Sequence, residues 1–173
     1  GNLKFDMSPE PALVALGHVW QMSLTRDVVL AAVTREGEEA MLLAAWQQQS
    51  EPRPLLLIVP RHPQRFDEVS SISQSRRTRA RLPDPNDKVH LGDTMGEMAY
   101  YLGLADVAVI GGGFGAFGGQ NLIEACAAGV PVIVMVSITS SGTAATASRV
   151  RPSGMRRLAA SAKAANPSWR SWE

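Results

Sequence analysis

The chain alternates between short runs of uninterrupted apolar residues and longer stretches with helical spacing. VVLAAV (28–33), LLLIVP (55–60), ADVAVI (105–110) and PVIVMV (131–136) show no regular polar alternation, the pattern of strands buried on both faces of a parallel sheet. KVHLGD (88–93) adds a further strand. Between them the spacing predicts helices over 9–22, 38–49, 66–73, 95–102 and 120–128. Ser8 caps the first, with Pro9 at its first position. Asp93 or Thr94 caps the fourth, with Glu97 at capping-box distance from Thr94. Strands and helices in alternation argue for an α/β domain with a mostly parallel sheet and right-handed crossovers. Ligands of such sheets lie beyond the carboxyl ends of the strands. The loops at 34–39, 61–65 and 93–97, with the glycine loop from Gly111, are therefore expected to converge on one crevice.

This grammar stops after Val136, and the charge changes with it. Residues 1–134 hold 11 Lys and Arg against 15 Asp and Glu, whereas residues 135–173 hold six against one. Residues 1–136 are expected to form the domain, and residues 137–173 a basic Ala/Ser/Arg-rich tail that is disordered or helical in part. No aromatic platform or nucleic-acid module accompanies the basic residues, so nucleic acid is not an expected partner. The single cysteine, Cys126, builds no disulfide framework. No apolar run approaches the roughly 18 to 20 residues of a bilayer span, and GNLKFDMSPE has no signal-peptide character. A cytoplasmic location is expected.

Candidate chemistry concentrates in GGGFGAFGGQNLIE (111–124), where a strand runs into a glycine loop and then a helix. Glycines let backbone approach a ligand, and the free N–H groups of a helix start favour an anion such as phosphate. Gly113 to Gly118 fits the G-x-G-x-x-G dinucleotide fingerprint. However, that fingerprint belongs to the first strand–helix turn, and no carboxylate follows the next strand for an NAD ribose. A purely structural glycine turn is the plainer alternative. Asn121 can face a phosphate or cap the helix; Glu124 can reach ribose hydroxyls or sit as a surface glutamate. Arg61, between Pro60 and His62-Pro63, can grip a phosphate with two N–H groups or stand solvated. His62 is a lone loop histidine without a metal-ligand pattern around it. Glu38 and Glu39 open a helix and are read as capping, with a ligand hydroxyl contact as the alternative. Arg76, Arg77, Arg79 and Arg81 read as a solvated basic edge or as contact with an acidic surface. His18, His90 and Cys126 read as packing residues, and no nucleophile-plus-base constellation appears.

Five motifs in order, GNLKFD at the start, TREGEE (34–39), VPRHPQRFDEV (59–69), LGDTMGEM (91–98) and ADVAVIGGGFGAFGGQNLIEACAAGVPVIV (105–134), resemble the C-terminal half of bacterial 3-deoxy-D-manno-octulosonic acid (Kdo) transferases. The resemblance implies a Rossmann-like three-layer domain, the donor-binding half of a GT-B glycosyltransferase of lipopolysaccharide biosynthesis. It implies CMP-Kdo as donor and a lipid A precursor as acceptor, at the cytoplasmic face of the inner membrane, with neither metal nor cofactor. Carried over by motif, the donor contacts are Arg61, His62, Thr94, Met95, Gly96, Glu97, Gly112, Gly113, Gly118, Gly119, Asn121 and Glu124. Arg61, the glycines and Asn121 would lie toward the phosphate, Glu124 toward the ribose, and the GDTMGE residues along the nucleotide.

Three departures from the family pattern stand out. The family's acidic catalytic base belongs to an N-terminal domain, and this chain begins after it, so an excised or truncated piece, inactive alone, is expected. Membrane association would come through that other half. Arg35 stands where the family commonly has histidine. After Val134 the family's Gly-Pro and Asn-Phe segment is replaced by Met135-Val136-Ser137, as an out-of-frame C-terminus would do. The alternatives are another GT-B transferase or epimerase, or a non-catalytic nucleotide-binding module.

Overall fold

The computed structural model describes residues 9–79, 82–112 and 122–134. Its strands are β1 (Val28–Thr34), β2 (Leu55–Pro60), β3 (Ser75–Arg76), β4 (Val89–Leu91), β5 (Val107–Ile110) and β6 (Val132–Val134). They form one sheet in the order β3-β4-β2-β1-β5-β6, and every ladder is parallel. The helices are α1 (Pro11–Ser23), α2 (Glu38–Gln47), α3 (Phe66–Ser70, entered through a 3-10 turn at Pro63–Arg65), α4 (Met98–Leu104) and α5 (Leu122–Ala127).

All residues of β1 and β2 are buried, and alternate side chains serve opposite layers. Val28, Leu30 and Ala32 meet α1, α4 and Ala125 of α5, while Val29, Ala31, Leu56 and Ile58 meet Leu42, Leu43 and Trp46 of α2 and Val69 of α3. Two covered faces leave no place for polar alternation, which is why these strands read as unbroken apolar runs. The architecture is the expected Rossmann-like α/β sandwich.

The chain passes from β1 through α2 to β2 on one side, and from β4 through α4, on the opposite layer, to β5 on the other side of β1. The strand order therefore reverses between β1 and β5, the switch point beyond whose carboxyl ends ligands of such sheets bind. At the opposite end, the Asp106 carboxylate accepts the Val28 N–H at 2.7 Å and the Gln21 amide at 2.9 Å, tying β1, β5 and α1 together.

Helix α1 packs on α4 where Val14 and Gly17 meet Gly103, and Leu13 and Trp20, with Leu24 just past its end, join the core. A Cβ on Gly17 would stand 2.8 Å from the Gly103 carbonyl carbon, and one on Gly103 2.9 Å from that of Val14. The two backbones touch there, and a side chain on either would part them. Helix α1 carries no charged residue, and its outer side exposes Leu16, Val19 and Met22.

Several expectations shift. Helix α1 starts at Pro11 rather than Pro9, with Glu10 at the cap. Helix α4 starts at Met98, with Glu97 at its cap and no side-chain cap bond, because Gly96 at φ 78° breaks the helical path. His18 is exposed, a hundred degrees round from the face that packs on α4. Cys126 is exposed too, the buried face of α5 running through its neighbour Ala125. His90 is buried as expected, its Nδ1 2.7 Å from Ser75 Oγ. Strand β3, which the sequence does not announce, extends the sheet beyond β4. The expectations for residues 137–173 lie outside the described residues.

Candidate functional site

Because all strands are parallel, the loops after β4, β2, β1 and β5 open along one edge of the sheet, in that spatial order. At the end of β1 the register slips. Ala32 pairs with Val59 and Thr34 with Pro60, so Val33 is an extra residue, at φ 60°. Among the described residues it is the one non-glycine with a positive φ, a costly conformation for a β-branched side chain that persists only when its surroundings impose it. The bulge brings the Val33 carbonyl oxygen and the Thr34 Cα each within 2.8 Å of where a Cβ on Gly111 would sit. Only glycine at 111 lets the end of β5 pass so close to β1.

Glu38, first residue of α2 and 4% exposed, closes this junction. Its carboxylate accepts the Gly112 N–H at 2.8 and 3.0 Å and the Arg35 N–H at 2.9 Å. It is neither a simple helix cap nor a group turned to solvent; it ties the loop after β1 to the first residues of the glycine loop. Its partner lies 74 positions away, so spacing gave no signal for the contact.

The loop after β2 is tethered to the same bulge, since the Arg61 N–H donates to the Thr34 carbonyl at 3.0 Å. His62 is exposed in an extended conformation ahead of Pro63. Arg65, one turn on, donates to Glu39 at 2.6 Å and to Glu68 at 2.9 Å. Glu68 first, and Glu39 with it, hold the Arg65 guanidinium above its ordinary value against the opposing effect of burial. A cavity of about 370 Å³ opens between α2 and α3, lined by Glu39, Leu43, Arg65, Val69 and Ile72 among others. None of the residues expected to contact the donor lines it.

The loop after β4 rests on a buried carboxylate. Asp93 accepts the Thr78 N–H at 2.8 Å, the Thr78 hydroxyl at 2.5 Å and Arg76 Nε at 2.6 Å. Burial pushes its carboxyl up, but the Thr78 hydrogen bonds and Arg76 outweigh this and hold it below the ordinary value. Thr94 Oγ1 hydrogen-bonds the Tyr101 hydroxyl and donates to Glu97 at 2.6 Å, in place of a capping box. Glu97 also receives Arg77 through two contacts of 3.2 Å, and Arg77 lies over the Tyr100 ring at 4.6 Å. Burial pushes the Tyr101 hydroxyl up to about 12. Arg76 and Arg77 are thus internal struts of the site rather than the expected solvated edge; Arg79 is exposed and Arg81 lies outside the described residues. Met95 is 66% exposed at the tip, beside Gly96.

Gly112 is buried at the mouth of the glycine loop. Gly113, Gly118, Gly119 and Asn121 lie outside the described residues. Glu124, in the first turn of α5, is half-buried, and burial raises its carboxyl above the ordinary value. Of the expected site residues, Arg61, His62, Thr94, Met95, Gly96, Glu97 and Gly112 lie on the loops of the carboxyl edge. The sequence gives no warning of the Asp93–Thr78–Arg76 cluster or of Tyr101, whose partners come from separate elements.

No protein-family model matches the chain. It is 48% identical over 146 residues to the 3-deoxy-D-manno-octulosonic acid transferase of Bordetella pertussis, a match covering 78% of this chain and 34% of that protein. It is 35% identical over 145 residues to the Haemophilus influenzae protein of the same name, covering 77% and 34%. The chain spans about a third of the length of these curated relatives. Among solved structures, the C-terminal CMP-Kdo binding domain of WaaA from Acinetobacter baumannii is similar with a TM-score of 0.63 and 30% identity, covering 72% of this chain and 71% of that one. A sheet that reverses at β1 and β5, glycines where its two halves touch, and relatives sharing both sequence and fold lead to one assignment: the chain belongs to the Kdo transferase family and corresponds to its C-terminal domain.

Proposed function

We propose that this chain is the donor-binding domain of a Kdo transferase and holds CMP-Kdo in the crevice between β1 and β5. The observation that carries this is the similarity in sequence and fold to a CMP-Kdo binding domain, in a chain whose carboxyl-edge loops open beside the switch point. Arg61, with Gly113, Gly118, Gly119 and Asn121, surrounds the phosphate, and Gly112 flanks it as backbone whose own N–H is taken by Glu38; a guanidinium and the other backbone N–H groups suit a group that gains charge as it leaves. His62 stands beside them. Thr94, Met95, Gly96 and Glu97 line the nucleotide, with Thr94 and Glu97 held by Tyr101 and Arg77. Glu124 takes the ribose, whose hydroxyls would supply donors to a carboxylate that burial disfavours.

Transfer to a lipid A precursor is proposed for the whole protein, at the cytoplasmic face of the inner membrane. The base that takes the acceptor's proton is assigned to an N-terminal domain, so these 173 residues alone are expected to bind donor without turning it over. Among the described residues no helix is long and apolar enough to cross a membrane, and membrane association is assigned to the rest of the protein. Residues 1–136 are taken as the binding domain and 137–173 as a separate segment.

Isothermal titration with CMP, UDP and NAD tests the reading. Heat with CMP alone is expected, with affinity about tenfold weaker in Glu124→Ala, the loss of about one hydrogen bond to a charged group. Equal and negligible heat with all three ligands, from a folded sample, would sink it.

A further inference from the structure

The junction of β1 with β5 carries a role that none of the donor contacts above supplies. Three features coincide there: the Val33 bulge, the bare Cα of Gly111 against it, and the buried Glu38 carboxylate that accepts both the Gly112 and the Arg35 N–H. The missing Cβ of Gly111 would lie 2.6 Å from Glu38 Oε2, so carboxylate and loop are in direct contact. The bulge also holds the next loop, through the Thr34 carbonyl and the Arg61 N–H. One carboxylate thereby fixes the direction in which the chain leaves β5, relative to the loop that bears Arg61.

We propose that Glu38 is a positioning residue for the donor phosphate, acting through the Gly112 amide and the Val33 bulge rather than by touching the ligand. This rests on the CMP-Kdo reading above. The chemistry requires a carboxylate. Oε1 accepts from Gly112 while Oε2 accepts from Gly112 and Arg35, whereas a glutamine offers one acceptor and turns an N–H₂ toward a backbone N–H. An aspartate is one methylene too short to span from α2 to Gly112. Burial sharpens the requirement, since an amide left unpaired here has no water to replace its partner. A nucleotide site is sensitive to displacements of this kind, because loop N–H groups and a guanidinium must meet the same phosphate together.

The test uses the 173-residue chain with CMP, comparing wild type, Glu38→Gln and, as a control for general destabilisation, Val89→Ala in β4 on the far side of β2. Glu38→Gln is expected to bind CMP about tenfold more weakly and to shift the Gly112 amide resonance in ¹H–¹⁵N spectra, while Val89→Ala lowers the melting temperature and leaves CMP affinity unchanged. Wild-type affinity in Glu38→Gln, or an equal loss in Val89→Ala, overturns the positioning role and leaves the donor-site reading standing. Absence of CMP binding by wild type overturns both. If Glu38→Gln does not fold, the wild-type spectra decide: the Gly112 amide is expected to shift on CMP addition, and an unmoved Gly112 among shifting resonances refutes the role.

Discussion

Replacing Gly103 with alanine isolates the contact that holds α1 on the domain. The added Cβ would stand 2.9 Å from the Val14 carbonyl carbon and 3.0 Å from its Cα, where carbon atoms ordinarily rest about 3.5 to 4.0 Å apart. Both neighbours are backbone, so no rotamer change relieves the overlap, and α1 must move outward by about 0.5 to 1 Å. Overpacking of this kind costs about 1 to 3 kcal/mol. Alanine returns up to about 1 kcal/mol as the better helix former in α4, but displacement of α1 also loosens Leu13, Trp20 and Leu24 from the core. The expected balance is a loss of about 2 kcal/mol, or about 8 °C in melting temperature, measured by far-ultraviolet circular dichroism. Gly17→Ala strikes the same junction from the other helix, so the double variant should lose less than the two single losses together. A Gly103→Ala protein that melts at or above wild type would refute the close crossing of α1 and α4.

His90 sets an acid limit. Burial pushes its imidazole down to about 4, so the folded state keeps it neutral where the unfolded chain, near 6.5, takes up a proton; stability is full above about 6.5 and falls as pH drops toward 4. The loss is at most about 3 kcal/mol, and urea midpoints against pH in His90→Gln should lack this component; an unchanged slope would exclude His90 as its source. Arg65→Met leaves the buried Glu39 carboxylate without its 2.6 Å partner and should cost about 3 kcal/mol in urea unfolding, much of it recovered in Arg65→Met/Glu39→Leu. A double variant no more stable than Arg65→Met would show that the cost lies in lost packing of the arginine stem.

How much of this was legible depends on where each residue finds its partner. β1, β2 and β5 stand out as apolar runs because both faces of the sheet are covered. β3 does not, because Ser75 and Arg76 are polar and become a strand only by pairing with His90 and Leu91. In α1 the packing side cannot be told from the outer side by sequence, since a helix without charges offers no contrast; the expectation that His18 packs fails for that reason. The carboxyl edge was legible as a set of loops at the ends of parallel strands. Its supports were not: Glu38 with Gly112, Asp93 with Thr78 and Arg76, and Thr94 with Tyr101 join side chains to partners on other elements, and periodicity carries no information about such pairs. The family motifs supplied the expectation of a cytidine nucleotide, where the glycine pattern alone left phosphate site, dinucleotide site and plain turn open.

A sheet in which every neighbour is parallel has no hairpins, and this governs how the chain must be made. One of the two middle strands, β1, pairs with β5, Val29 beside Val107 and Leu30 beside Ala108, so it waits for a partner synthesised much later. Until then the Val28–Thr34 run has one paired edge at best, and its folding must close a long loop before any of that pairing is rewarded. Slow refolding is the expected signature, together with aggregation that worsens with protein concentration while β1 stands half-paired.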